Sequence, residues 1–288
     1  MPLYDILERP ELADPILVMA LTGWVDAAAA GTRAAEALAA GGTTVADFDT
    51  DALLDYRANR PVLTFRNGRM DEAKWPALTI THVAREGLDL LVMTGAEPDF
   101  KWKELSADLV GLAGTFRVSR LVTLGAIPAQ VPHTLPPPVL TTTSDPELLL
   151  EDDRPISGDL KVPGAAVSIL TEALVAGGIP ALGYWVQVPH YVRSPYHRGV
   201  LALLEKATGR LGISLDLEEI RLAADAQQTE LDEAVRGRPE AEAYLQRLEA
   251  AGEGGDVPTA DEIGAEVERF LREASDGRDD AGPPPAGP

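Results

Sequence analysis

The stretch Ile16-Leu17-Val18-Met19-Ala20-Leu21-Thr22-Gly23-Trp24-Val25-Asp26 opens an alanine-rich segment and decides the fold class. Six apolar residues in a row, without polar alternation, suit a strand covered on both faces. A glycine-containing turn and a helix follow, which is the repeating unit of an α/β protein. Runs of the same kind recur at Leu88 to Thr94, Leu121 to Leu124 and Leu182 to Val188. Helical stripes lie between them: Trp102, Leu105, Leu109, Leu112 and Phe116; Ala166, Ile169, Leu170, Ala173 and Leu174; Val200, Leu203, Leu204, Ala207 and Leu211. The alternation predicts an α/β fold with a mixed, largely parallel central sheet flanked by helices. Asn67-Gly68 predicts a hairpin turn from Val62–Phe65 to a strand near Leu78–His82, so one sheet edge is expected to be antiparallel. Gln130 to Pro163 is proline-rich, with one plausible strand at Val139 to Thr143.

From Leu215 onward strand-like runs vanish and helical spacing takes over. Ile220, Ala224, Leu231 and Val235 form one stripe, and Ala241, Tyr244, Leu245 and Leu248 the next. Thr259 to Glu262 reads as a capping box. Ile263, Val267, Phe270, Leu271 and Ala274 would then share one face of a further helix. The expected organisation is a core over residues 1–215, an acidic, all-helical C-terminal extension over 216–275 and a disordered tail over 276–288.

The 288 residues carry 46 acidic and 25 basic side chains, a net charge of −21. Phosphate backbones and anionic lipid repel such a chain, so no nucleic acid and no membrane is expected as a partner. Residues 218–288 hold 19 of the acids and 7 of the bases, so the excess sits in the C-terminal quarter. Cysteine is absent, which removes thiolate catalysis and Cys-based metal sites. No apolar run approaches the roughly 20 residues of a membrane span, and Met1 to Asp5 lacks signal-peptide features. A cytoplasmic protein is expected.

The unusual residues follow the predicted strands. Gly23, Trp24 and Asp26 come after the first, and Glu97, Asp99 and Trp102 after the second. His133 follows the third, and His190 and Tyr191 the fourth. Ligands of open parallel sheets sit beyond the carboxyl ends of strands, so these loops could line one crevice. Helix N-termini at that rim could offer amides to an anion. Asp55, Arg57 and Arg60 form a basic segment whose guanidinium groups could clamp a carboxylate or phosphate. Each residue also has a plainer role: Asp26 and Asp99 at helix N-termini, the tryptophans in packing, the histidines in backbone hydrogen bonds. His82 and His197 have no partner pattern and read as structural. No dinucleotide fingerprint, Walker loop, Gly-x-Ser-x-Gly elbow or His-Glu-x-x-His occurs, so no cofactor and no metal is expected.

Taken in order, Gly23-Trp24-x-Asp26-Ala27, Asp55-Tyr56-Arg57-x-x-Arg60-Pro61, Gly95-x-Glu97-Pro98-Asp99-x-x-Trp102, Pro132-His133-Thr134 and Val188-Pro189-His190-Tyr191 resemble bacterial proteins related to proteasome assembly chaperone two. The resemblance covers about residues 1–215, and the acidic extension is similar to that of the actinobacterial branch. Twenty Arg against five Lys fits a GC-rich genome. Leu135 stands where many members carry arginine. The resemblance implies a purine nucleoside phosphorylase-type fold and assembly into trimers or larger rings. It does not imply phosphorylase chemistry, and two functional readings are carried, the second from the residues alone. One is a non-enzymatic binding or assembly-chaperone-like homo-oligomer that contacts a protein partner or small ligand. The other is a hydrolase or phosphorylase-like transferase acting on a small anionic or nucleoside-like substrate at the strand-end crevice, with His133 or His190 as acid or base.

Overall fold

A computed structural model of the chain describes residues 2–193, 195–252, 264, 265 and 269. The expected capping box at Thr259 to Glu262, the stripe from Ile263 to Ala274 and the tail lie outside the described residues. In chain order come β1 (Tyr4–Ile6), β2 (Ile16–Leu21), α1 (Ala30–Ala39), β3 (Thr43–Phe48) and the short α2 (Thr50–Leu53). Next are β4 (Val62–Arg66), β5 (Arg69–Lys74), β6 (Leu78–Arg85), β7 (Leu88–Gly95) and α3 (Trp102–Phe116). They are followed by β8 (Arg120–Ala129), β9 (Val139–Thr143), α4 (Ala166–Ala176) and β10 (Ala181–Pro189). The last three are α5 (His197–Leu211), α6 (Glu218–Val235) and α7 (Pro239–Gly252).

Eight strands form one sheet in the order β1-β3-β6-β7-β2-β8-β10-β9. The pairings of β7, β2, β8 and β10 are parallel and hold the centre. The remaining pairings are antiparallel, so the sheet is mixed at both edges and not at one alone. The physical reason lies in the loops: β6 and β7 are joined by the tight Glu86-Gly87 turn, and the chain reverses from β8 to β9 through residues 130–138 without a helical crossover, so β9 runs against β8 and β10.

The apolar run of β2 is buried at every position. Leu17, Met19 and Leu21 face α3 and α4, packing with Leu105, Leu109, Leu112, Leu170 and Leu174. Val18 and Ala20 face α1 and α5, packing with Ala34, Leu38, Leu203 and Leu204. A strand clamped between two helical layers has no solvent side, hence the missing alternation, and each buried leucine stabilises the fold by about 1.5–3 kcal/mol. α1 lies close to the sheet because its inner face is small: a Cβ on Gly31 would stand 2.9 Å from the Leu124 carbonyl oxygen.

Two expectations are corrected here. Asn67-Gly68 does turn a hairpin, but its partner strand is β5, and the pair forms a separate two-stranded sheet. The strand at Leu78 belongs to the main sheet, as β6. The strand read at Leu121 to Leu124 is longer, continuing as β8 to Ala129, and that at Leu182 to Val188 runs as β10 through Pro189. His82 lies within β6, where its Nε2 meets Asp89 Oδ1 at 2.7 Å.

Candidate functional site

The strand-end residues fall into three hydrogen-bonded sets. The first joins β2 to its neighbours. Asp26 is buried, and its Oδ1 accepts from the amides of Gly31 (2.8 Å) and Thr32 (3.1 Å) in the first turn of α1. Its Oδ2 accepts from the Thr32 hydroxyl at 2.5 Å. Burial pushes the Asp26 carboxyl above its ordinary value, and the bonds from Thr32 and Gly31 partly offset that. Ala28 and Ala29 enter α1 with φ of 50° and 55°, a left-handed backbone that the Asp26 clamp and the surrounding packing hold in place. Glu97, after β7, lies against Gly23, where a Cβ would collide with its carboxylate. Its Oε1 accepts from the Ala166 amide at 2.7 Å, the first amide of α4. Burial raises the Glu97 carboxyl as well, against the Ala166 bond.

The second set surrounds Asp99. Its Oδ2 accepts from the Asp55 amide (2.7 Å) and from Asn59 Nδ2 (2.9 Å), while the amides of Asp99 and Phe100 donate to the Leu53 carbonyl. Asp55 Oδ1 accepts from the Arg57 amide at 2.8 Å. The Tyr56 hydroxyl donates to Asp51 Oδ1 at 2.6 Å, and its ring meets Trp75 edge-on with centroids 4.9 Å apart. Trp102 donates its indole N–H to the Pro98 carbonyl and packs at the core margin. Two sequence segments 40 residues apart therefore make one clamp, and the β4–β5 hairpin springs from it. The guanidinium groups of Arg57 and Arg60 have no carboxylate partner among the described residues.

The third set lies under α6 and α7. His133 is fully buried. Tyr191 Oη accepts from the His133 amide (2.9 Å) and meets Nδ1 at 2.8 Å. With the hydroxyl donating to Nδ1, the ring proton sits on Nε2, which faces Asp232 Oδ1 at 3.3 Å. Burial lowers the imidazole pKa below its ordinary value, with Asp232 acting in the opposite direction. Burial pushes the Tyr191 phenol up to about 12. The Arg198 guanidinium donates to the His133 carbonyl and to Gln228 Oε1. His190 is exposed and meets the Tyr244 hydroxyl at 3.4 Å. Thr134 donates to Glu249 Oε1 at 2.6 Å.

Among the described residues no hydrogen bond links these three sets into one constellation. Three helix N-termini at the rim are filled by the chain itself: Asp26 on α1, Glu97 on α4, and Gln227 Oε1 on the first amide of α5 at 2.9 Å, whereas α3 starts without a side-chain cap. No group of three His, Asp or Glu side chains is placed to hold a metal among the described residues. A groove of about 690 Å³ lies between the Pro136–Pro138 loop, α5 and α6, away from Asp26 and Glu97. Sequence reasoning missed Arg198, Asp232, Tyr244 and Glu249. They lie 54 to 115 residues from their partners, a separation at which no spacing rule operates.

Residues 20–235 match the PAC2 family. A Mycobacterium tuberculosis protein of unknown function is 31% identical with a TM-score of 0.85, over 92% of this chain and 96% of that one. A second protein of that organism, described as a proteasome-assembly chaperone homologue, is 30% identical with a TM-score of 0.72, over 80% and 99% of the two chains. A PAC2 family protein from Streptomyces avermitilis is 32% identical with a TM-score of 0.70, over 81% and 100%. No curated protein matches the chain.

Proposed function

The chain belongs to the PAC2 family, and we propose that it works by binding, as a non-enzymatic, assembly-chaperone-like homo-oligomer. One observation carries this reading: the polar side chains at the strand ends act as helix caps and clamps, each within its own hydrogen bonds. A shared general acid and base would need His133 or His190 within reach of a carboxylate that is free to act. His133 is enclosed by Tyr191, Asp232 and Arg198, and Asp26 already accepts three hydrogen bonds. The occupied N-termini of α1, α4 and α5 also count against a phosphorylase-like site that would use those amides to hold an anion.

In this reading residues 1–215 form a core similar to the purine nucleoside phosphorylase type, and residues 216–275 an acidic appendage, of which Asp232 of α6 and Tyr244 of α7 meet His133 and His190. The binding rim comprises Gly23, Trp24, Asp26, Asp55, Arg57, Arg60, Glu97, Asp99, Trp102, His133, His190 and Tyr191, with the clamp residues shaping what is presented. The setting is cytoplasmic. The relative described as a proteasome-assembly chaperone homologue suggests proteasome subunits as the first partners to test. The experiment is co-elution of the purified chain with unassembled proteasome α and β subunits. Retention of subunits, and their release on assembly into particles, is the expected result; no retention at micromolar concentration would count against the reading. A thermal-shift screen of nucleosides, nucleotides and small carboxylates addresses the enzymatic alternative, since a ligand at a hundred times its Kd stabilises by about 2.7 kcal/mol.

A further inference from the structure

The β4–β5 hairpin is the one main-chain element that the rest of the described chain leaves uncovered. All eleven of its strand residues are exposed. Val62 (66% exposed), Phe65 (61%) and Met70 (64%) are large apolar side chains held in solvent. Phe65 lies opposite Met70, and Leu63 opposite Ala73, so these four share one face, while Val62 opposite Lys74 and Arg66 opposite Arg69 share the other. An isolated two-stranded hairpin is marginal in water, and a contiguous exposed apolar patch marks a contact surface. The base of the hairpin is nevertheless fixed, by Asp99 on Asp55 and Asn59 and by the ring of Tyr56 on Trp75.

Charge identifies the occupant. From Arg57 to Lys74 there are five basic and two acidic residues, a net +3 in a chain of −21. Arg66 pairs with Asp71, but Arg57, Arg60, Arg69 and Lys74 have no acidic partner among the described residues. The opposite pattern stands on α6. Leu222 is 61% exposed there, and Glu218, Glu219 and Asp225 are its neighbours at helical spacing, also exposed and without a cationic partner among the described residues. No hydrogen bond or ion pair joins the two surfaces within one chain among the described residues.

We propose that the β4–β5 arm of one copy docks on the outer face of α6 of a second copy. Val62 would cover Leu222, and Arg69 and Lys74, on the same face of the arm as Val62, would face the α6 carboxylates. Two arms would repel each other, so the contact joins unlike surfaces head to tail, the geometry that closes into rings. The inference rests on the oligomer reading above and names its contact.

Light scattering on the full chain, with melting temperature as the fold check, tests it. The pair Arg69→Glu and Lys74→Glu should weaken self-association at least about tenfold, because like charges would then oppose each other across the contact. Val62→Ser, which leaves charge unchanged, should weaken it too. Adding Glu219→Lys and Asp225→Lys to the arm reversals in one chain should restore association. A wild-type monomer across micromolar concentrations would overturn both the inference and the oligomer reading. An oligomer indifferent to the arm variants would overturn the arm and leave the oligomer, and loss without restoration would overturn the pairing with α6.

Discussion

Asp26 and Gly31 show how few atoms hold β2 to α1. The carboxylate fills two amides of the helix, and Gly31 lets the helix approach the Leu124 carbonyl. Gly31→Ala therefore sets two effects against each other. Alanine improves helix propensity by up to about 1 kcal/mol, but its Cβ would press on backbone at 2.9 Å, and overpacking costs about 1–3 kcal/mol. Because the neighbour is main chain and cannot rotate away, a net loss is expected in urea denaturation. His133 gives a pH signature. Its folded pKa lies below 6.5, so as pH falls through 6.5 the unfolded chain takes up the proton first and stability declines towards the folded value. His133→Gln should flatten that slope whatever it does to overall stability, and denaturation series between pH 5 and 8 would read it. The capping role of Asp26 was legible from its place before a helix. The partner of His133 was not, since Asp232 lies 99 residues away.

At the scale of elements, the hairpin separates what hydrophobic patterning reports from what it does not. Period and run length record burial, so β2 and β7 were readable while Arg69–Lys74, exposed on both faces, left no pattern to read. The Asn67-Gly68 turn was visible, but its partner strand was assigned to the next apolar run for that reason. The Asp55–Pro61 segment and Asp99 were singled out separately in the sequence; the fold joins them, through Asp99 on the Asp55 amide and Asn59, in the clamp under the arm. Tyr56→Ala removes the ring that closes on Trp75. Limited proteolysis should then cut between residues 57 and 74 faster than in the wild type, with the Trp75 emission shifted to the red and the global melting transition little changed. Equal cutting rates would show that the base holds without the aromatic contact.

Over the whole molecule the charge of −21 resolves into unlike parts: a basic arm, an acidic C-terminal quarter and a core of moderate charge. If arm and α6 attract each other between copies, salt should weaken association, because at 1 M the screening length falls to about 3 Å. Light scattering at 0.05 M and 1 M sodium chloride would show a graded loss, with the remaining association held by Val62 and Leu222; association unchanged by salt would remove charge from the account. The sequence by itself determined the layered α/β core, because a strand covered on both faces must be apolar throughout and a helix on a sheet must carry one apolar stripe. It also determined the turn at Asn67-Gly68 and the family. Only the tertiary structure decided which partner each polar side chain meets and that the arm stands free. Hydrogen-bond partners come from strands and helices distant in the chain, and exposure belongs to the assembled surface, so neither leaves a local period in the residues.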